Sequence, residues 1–195
     1  HFRNLPIDDA LLSPFQMTHF DLSQFQKPKG LLQGLEEKVM VPWMKFLHSA
    51  GFTWHRCFPI LFISGPNSAT NYHMDLSHVL AWQIYGSKNF HTLREPNRWA
   101  PLHKMVEEVQ REEACMPPGL TSKDLLTFVM GPGDILWNQL LTPHWVEASR
   151  KTAVSLNISH GGLRYRGKLS PQELALEDWW ELHPEEIWRG PQQPL

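Results

Sequence analysis

Thr152-Ala153-Val154-Ser155-Leu156-Asn157-Ile158-Ser159-His160 alternates without a break. In an extended strand, successive side chains point to opposite faces. Ala153, Ser155, Asn157 and Ser159 then share one face, and Val154, Leu156 and Ile158 the other. Small and polar residues opposite aliphatics suit a strand that lines a polar cavity inside a β-barrel or sandwich.

The neighbouring stretches support a β-rich reading. Phe58-Pro59-Ile60-Leu61-Phe62-Ile63 is a buried apolar strand, followed by a turn over 64–68. Residues 79–85 form another strand, Gly86-Ser87 turns it, and 88–93 continues as its hairpin partner; 94–101, with Pro96 and Pro101, reads as a loop. Residues 125–130 lead through the turn Gly131-Pro132-Gly133-Asp134 into the short apolar run Ile135-Leu136-Trp137. Helical spacing is confined to the ends and one middle segment. Leu31, Leu32, Leu35, Val39, Trp43, Phe46 and Leu47 recur with a helical period, Pro42 should break or kink that run, and Gly51 suits its C-terminal cap. Residues 105–114 are charge-rich and read as an exposed helix. Ser170, with Pro171 next and Glu173 third, is a capping box for a helix carrying Leu174, Leu176, Trp179, Trp180 and Leu182. Residues 1–29 lack a period, and Phe2, Phe15, Phe20 and Phe25 tack them to the core. The chain reads as a single domain over 1–195, with a mainly β core at about 52–165 and helical flanks at about 30–51 and 170–188.

Composition narrows the function classes. An apolar content of 42% with nine Trp marks a folded globular chain rather than a disordered one. The net charge of −2, with no basic run, points to neither nucleic acid nor an anionic membrane, and no stretch approaches the roughly 20 apolar residues of a membrane span. The first residue is His, so the N-terminus reads as trimmed and a targeting signal ahead of it stays open. Two distant cysteines, Cys57 and Cys115, make no disulfide framework and read as buried thiols of a reduced, cytoplasmic protein.

The chemistry concentrates in Thr70-Asn71-Tyr72-His73-Met74-Asp75. His73 and Asp75, two apart in an extended segment, share a face and supply two ligands of a 2-His-1-carboxylate metal site. His144, ten residues after Asp134, is the third candidate, brought back by the fold. Lys88 is a lone cation on the strand region leaving the pair, and a buried Lys needs an anionic partner. The competing reading is that these are ordinary surface or hydrogen-bonded core histidines. His78, out of phase with the pair, and His91, beyond Lys88, read as structural. Trp82, Trp137 and Trp145 read as packing residues. Trp179, Trp180 and Trp188 fit either a homodimer surface or a seal at the bottom of the barrel.

Taken together, residues from about 59 to 160 resemble the cupin-type, JmjC-like family of Fe(II)/2-oxoglutarate-dependent oxygenases, close in spacing to the asparaginyl hydroxylase of hypoxia-inducible factor. The resemblance is carried by Thr70, His73-x-Asp75, Lys88 thirteen residues after the Asp, Leu93-Arg94-Glu95-Pro96, Gly133-Asp134-x-Leu136 with His144, and Asn157. It implies a double-stranded β-helix (cupin, jelly roll) with flanking helices. It implies Fe(II) on His73, Asp75 and His144, with Thr70 and Lys88 on the distal carboxylate of 2-oxoglutarate and Asn157 facing the metal. O2 would be the third reactant, and the product a hydroxylated (or, by way of hydroxylation, demethylated) protein side chain or small molecule. Two positions depart from the pattern. Val79 stands where the hydroxylase carries Asn, and Trp137-Asn138-Gln139-Leu140-Leu141-Thr142 replaces the usual run before the distal His. These departures favour the alternative, a metal- or ligand-binding cupin without oxygenase activity.

Overall fold

A computed structural model of the chain describes residues 9, 12–18, 22–111 and 114–187. In chain order the elements are β1 (Gln16–Met17), α1 (Ser23–Gln26), a π-helical turn (Glu36–Met40), α2 (Val41–Ser49), β2 (Phe52–Thr53), β3 (Arg56–Ser64), β4 (His78–Tyr85) and β5 (Lys88–Leu93). Then come α3 (Pro96–Trp99), α4 (Leu102–Gln110), a 3-10 turn (Ser122–Asp124), β6 (Leu125–Met130), β7 (Ile135–Asn138), β8 (His144–Ala148), β9 (Ala153–Gly161), β10 (Arg164–Tyr165), β11 (Lys168–Leu169) and α5 (Pro171–Leu182).

The strands form one sheet of order β1-β3-β9-β4-β7, a second of order β6-β5-β8, and a small third of order β11-β10-β2. Bridges Ala69↔Glu147 and His73↔His144 lay the segment around 69–73 beside β8, adding a fourth row to the second sheet. Along the chain, rows β3 to β9 therefore switch back and forth between the two sheets, only β5 and β6 being consecutive in one sheet, and pair antiparallel, which is the double-stranded β-helix of a jelly roll. The alternating stretch sits at its centre: β9 pairs with β3 on one side and β4 on the other. Its Ile158 packs outward against Met40 and Cys57, a patch covered by Trp43 and Met44 of α2, while Ser155 and Asn157 face a cavity between the sheets.

Several expectations change. β4 and β5 are not a hairpin; they lie in different sheets. Gly86 turns the corner at φ +66°, and a Cβ there would meet the Thr152 carbonyl oxygen at 2.4 Å, so only glycine fits. A tight turn looks the same in sequence whether the strands pair or part. Pro42 does interrupt the helical run: it stands in the first turn of α2, at the join where the π-helical turn gives way to α-helix. Gly51 (φ +92°) does follow the helix end. Residues 94–101 include the short helix α3, with Pro96 in its first turn. The middle helix is not an exposed one: Met105 and Val106 of α4 are buried against Leu176 of α5. Ser170 Oγ accepts from the Glu173 amide at 3.1 Å, yet the Glu173 carboxylate turns into the core and accepts from the Leu163 amide at 2.9 Å, so half of the capping box forms. Cys57 is buried as expected, but Cys115 is exposed because it follows α4 on the surface. Strand β1 was not foreseen; it pairs Gln16 and Met17 with Ser64 and Ile63. Trp179 and Trp180 pack against the Met74, Met105 and Leu140 cluster. Phe2, Phe20 and Trp188 lie outside the described residues. Among the described residues, no helix is long and apolar enough to cross a membrane.

Candidate metal centre

After β3, His73 and Asp75 do project to one side and line one cavity, while Tyr72 and Met74, which alternate with them, are buried on the other. His73 donates its backbone N–H to His144 O at 2.9 Å, and His144 returns the bond at 2.8 Å. That bridge places the two imidazoles side by side, ring centroids 4.2 Å apart. The Asp75 carbonyl accepts from Leu141 N–H at 3.1 Å, which ties the loop before β8 to the same segment. Leu141, fully buried, holds φ at +61°. A non-glycine residue there is a strained backbone position of the kind found at functional sites.

One ligand atom from each of His73, Asp75 and His144 lies within 4.8 Å of the other two. Asp75 Oδ2 is 3.6 Å from His144 Nε2, and Oδ1 is 4.0 Å from His73 Nε2. Both imidazoles are oriented by carbonyls: His73 Nδ1 donates to Asn71 O at 2.7 Å, and His144 Nδ1 to Thr142 O at 2.8 Å. A carbonyl only accepts, so the proton sits on Nδ1 and the Nε2 lone pair is free for a metal. Burial, ahead of every other influence, lowers the pKa of His144 and keeps it neutral, as a ligand must be. The Phe90 ring stacks flat on His144, centroids 4.9 Å apart and planes 8° from parallel. The donor set of two neutral imidazoles and one carboxylate suits a divalent transition metal such as Fe(II).

A cavity of about 340 Å³ opens beside these donors, and Thr70, Lys88 and Asn157 line it together with His73, Asp75 and His144. Lys88 is 6% exposed and donates to Ser155 Oγ at 3.1 Å. Among the described residues no carboxylate forms an ion pair with it, and burial pushes its pKa down to about 8. Thr70 Oγ1 accepts from Val146 N–H at 2.8 Å, which leaves the hydroxyl hydrogen free to donate. Asn157 Oδ1 is buried without a hydrogen-bond partner. Phe62, Val79, Ala81 and Met130 supply apolar wall.

Gln83 and Asn138 are among the cavity residues missed by the sequence reading. Gln83 faces inward from β4, its Nε2 held by Tyr85 O at 2.7 Å, and Asn138 faces inward from the end of β7. The alternation of Leu136 and Asn138 against Ile135 and Trp137 was the available signal. His78 and His91 stand apart from the donors. His78 Nδ1 accepts from Leu140 N–H at 3.2 Å and its Nε2 lies 3.4 Å from Glu173 Oε1, while His91 stacks on Trp145. A second acid-rich group, His183, Glu185 and Glu186, sits at the surface, where Glu186 already accepts from Trp179 Nε1 at 2.7 Å.

No protein-family model matches the chain, and no curated protein does. Among solved structures it is similar to the formate complex of Lactobacillus farciminis oxalate decarboxylase, at 11% identity over 54% of this chain and 24% of that one, TM-score 0.37. It is also similar to the polyketide cyclase RemF from Streptomyces resistomycificus, at 17% identity over 62% and 73%, TM-score 0.35. A third is a cupin superfamily protein from Desulfitobacterium hafniense, at 10% identity over 56% and 75%, TM-score 0.35. The match spans about a quarter of the decarboxylase's length. The strand order described above, rather than these scores, identifies the jelly roll.

Proposed function

We propose that this cupin is an Fe(II)- and 2-oxoglutarate-dependent oxygenase of the JmjC-like kind, acting on a protein side chain or a small molecule. The supporting observation is the pairing of two ends of one cavity. One end holds three donors suited to Fe(II); the other holds a buried Lys88 with no carboxylate partner among the described residues. A dicarboxylate that reaches from the metal to the lysine satisfies both. Fe(II) with 2-oxoglutarate and O2 supplies the oxidising power to put one oxygen atom into a C–H bond of the substrate, the other going into succinate as CO2 is released.

His73, Asp75 and His144 would hold the metal and leave coordination positions for reactants. Lys88 gives a point charge and Thr70 a neutral donor to the distal carboxylate. Asn157 lines the same cavity, and its unpaired Oδ1 is free to accept a hydrogen bond from a bound reactant or water. Phe62, Phe90 and Met130 exclude bulk water and so strengthen the electrostatics inside. The direct experiment is succinate formation with Fe(II), ascorbate and O2, alongside calorimetric titration of 2-oxoglutarate into the Mn(II)-loaded protein. Failure to bind 2-oxoglutarate at millimolar concentration, together with no succinate, sinks the reading.

Val79 favours a second reading, a metal-binding cupin without oxygenase activity, because it puts an apolar side chain in the cavity wall beside the donors. Metal binding without 2-oxoglutarate binding, unchanged in Lys88→Ala, is its signature.

A further inference from the structure

We propose that Asn138 is a positioning residue for the Asp75 carboxylate: its side-chain amide donates to Asp75 and fixes the rotation at which that carboxylate meets the metal. The assignment rests on His73, Asp75 and His144 being a metal site.

The geometry is specific to the end of β7. Asn138 is its last residue, 4% exposed, and its side chain enters the cavity. Nδ2 lies 3.4 Å from Asp75 Oδ2 and 3.4 Å from His144 Nδ1. The imidazole nitrogen has its proton committed to Thr142 O at 2.8 Å and so cannot accept, which leaves the carboxylate as the acceptor for the amide. Among the described residues, no other neutral donor bonds to that carboxylate. Asp75 is about one-third exposed, and Leu141 N–H holds its backbone carbonyl rather than its side chain, so the carboxylate rotation is set by what the side chain meets. Asn138, by contrast, is held in a ladder. Its cross-strand partner on β4 is Val79, whose side chain can neither donate nor accept. Position 79, where a polar group was expected, is therefore apolar, and the polar group at this point of the wall comes from the strand opposite. A partner of this kind sets ligand orientation, and losing one typically costs about 10–100-fold in metal affinity.

Asn138→Leu keeps the volume and removes the donor. Co(II) titration followed by its d–d absorption reads both affinity and ligand geometry. The expected result is a fall in Co(II) affinity of about 10-fold or more with displaced absorption bands, in a variant whose metal-free form still unfolds cooperatively. Equal affinity and an identical spectrum would overturn the inference while leaving the metal site standing. A wild-type protein that takes up no Co(II) would overturn the metal site itself, and the inference with it. Should Asn138→Leu not fold, the wild-type protein still decides the matter by NMR. The Asn138 side-chain NH2 resonances must shift when diamagnetic Zn(II) is added, and unmoved resonances count against the proposal.

Discussion

Lys88 carries the most consequence of any single residue. A cation 6% exposed beside Ser155 and the Phe62 ring, with its pKa pushed from 10.5 to about 8, is a group the fold tolerates at a cost. The sign follows from which form each state prefers. The unfolded chain holds the proton up to about 10.5 and the folded protein only to about 8, so the cost is full below pH 8 and disappears as pH rises towards 10.5. Lys88→Met should therefore make the protein without 2-oxoglutarate more stable at pH 7, by up to ~3 kcal/mol before packing losses. Urea unfolding at pH 7 and pH 10 measures it, and the gain should shrink at the higher pH. The same substitution should weaken 2-oxoglutarate binding by about 10-fold or more, the size of a lost charge-assisted bond. In the wild-type protein that affinity should hold below pH 8 and drop above it, by about tenfold per pH unit when one proton is coupled. Spacing in an extended segment was enough to pick out His73 and Asp75, because side-chain direction there is local, and Lys88 stood out as a lone cation and His144 as the histidine brought back by the fold; Thr70 and Asn157 came from the resemblance to the oxygenase family, and all six line one cavity. Asn138 was not legible, since its role depends on which strand lies beside β7.

At the scale of elements, β9 and α2 are joined by a side-chain hydrogen bond that is part-buried. Trp43 Nε1 donates to His160 Nε2 at 2.7 Å, and His160 Nδ1 donates to His78 O at 3.2 Å, so both nitrogens of a wholly buried imidazole are used. Trp43→Phe leaves Nε2 without a donor and should destabilise the protein by about 1–3 kcal/mol, read as a shift of the urea midpoint at constant slope. Burial also pushes the His160 pKa down to about 4. Its contribution is intact above the unfolded value of 6.5 and is lost as pH falls from there towards 4, by up to ~3 kcal/mol. A histidine in an alternating strand gives no hint of such a partner 117 residues away. The misread hairpin of β4 and β5 has the same origin. Both strands were visible in the sequence, and only their partners were not, because those partners, β9, β7, β6 and β8, come later in the chain.

For the whole molecule, the three donors link a segment that pairs with β8 only through isolated bridges to the ordered strand that carries His144. The loop between Asp75 and His144 contains β4 to β7, so a metal bound by the three donors would clamp the roll at the point where its ladder is thinnest. A ligand that binds only the folded state stabilises it by about 2.7 kcal/mol at a hundred times its Kd. For a chain of this size that corresponds to a rise in Tm of roughly 5–10 °C. Mn(II) under anaerobic or aerobic conditions alike should produce this rise, and a chelator should reverse it. Asp75→Ala is the informative control. The carboxylate is about one-third exposed, so the metal-free variant should melt close to the wild-type protein, whereas its response to Mn(II) should vanish. A Tm that rises equally in Asp75→Ala would place the metal elsewhere, and the segment around 69–75 would then not be clamped to β8 by it.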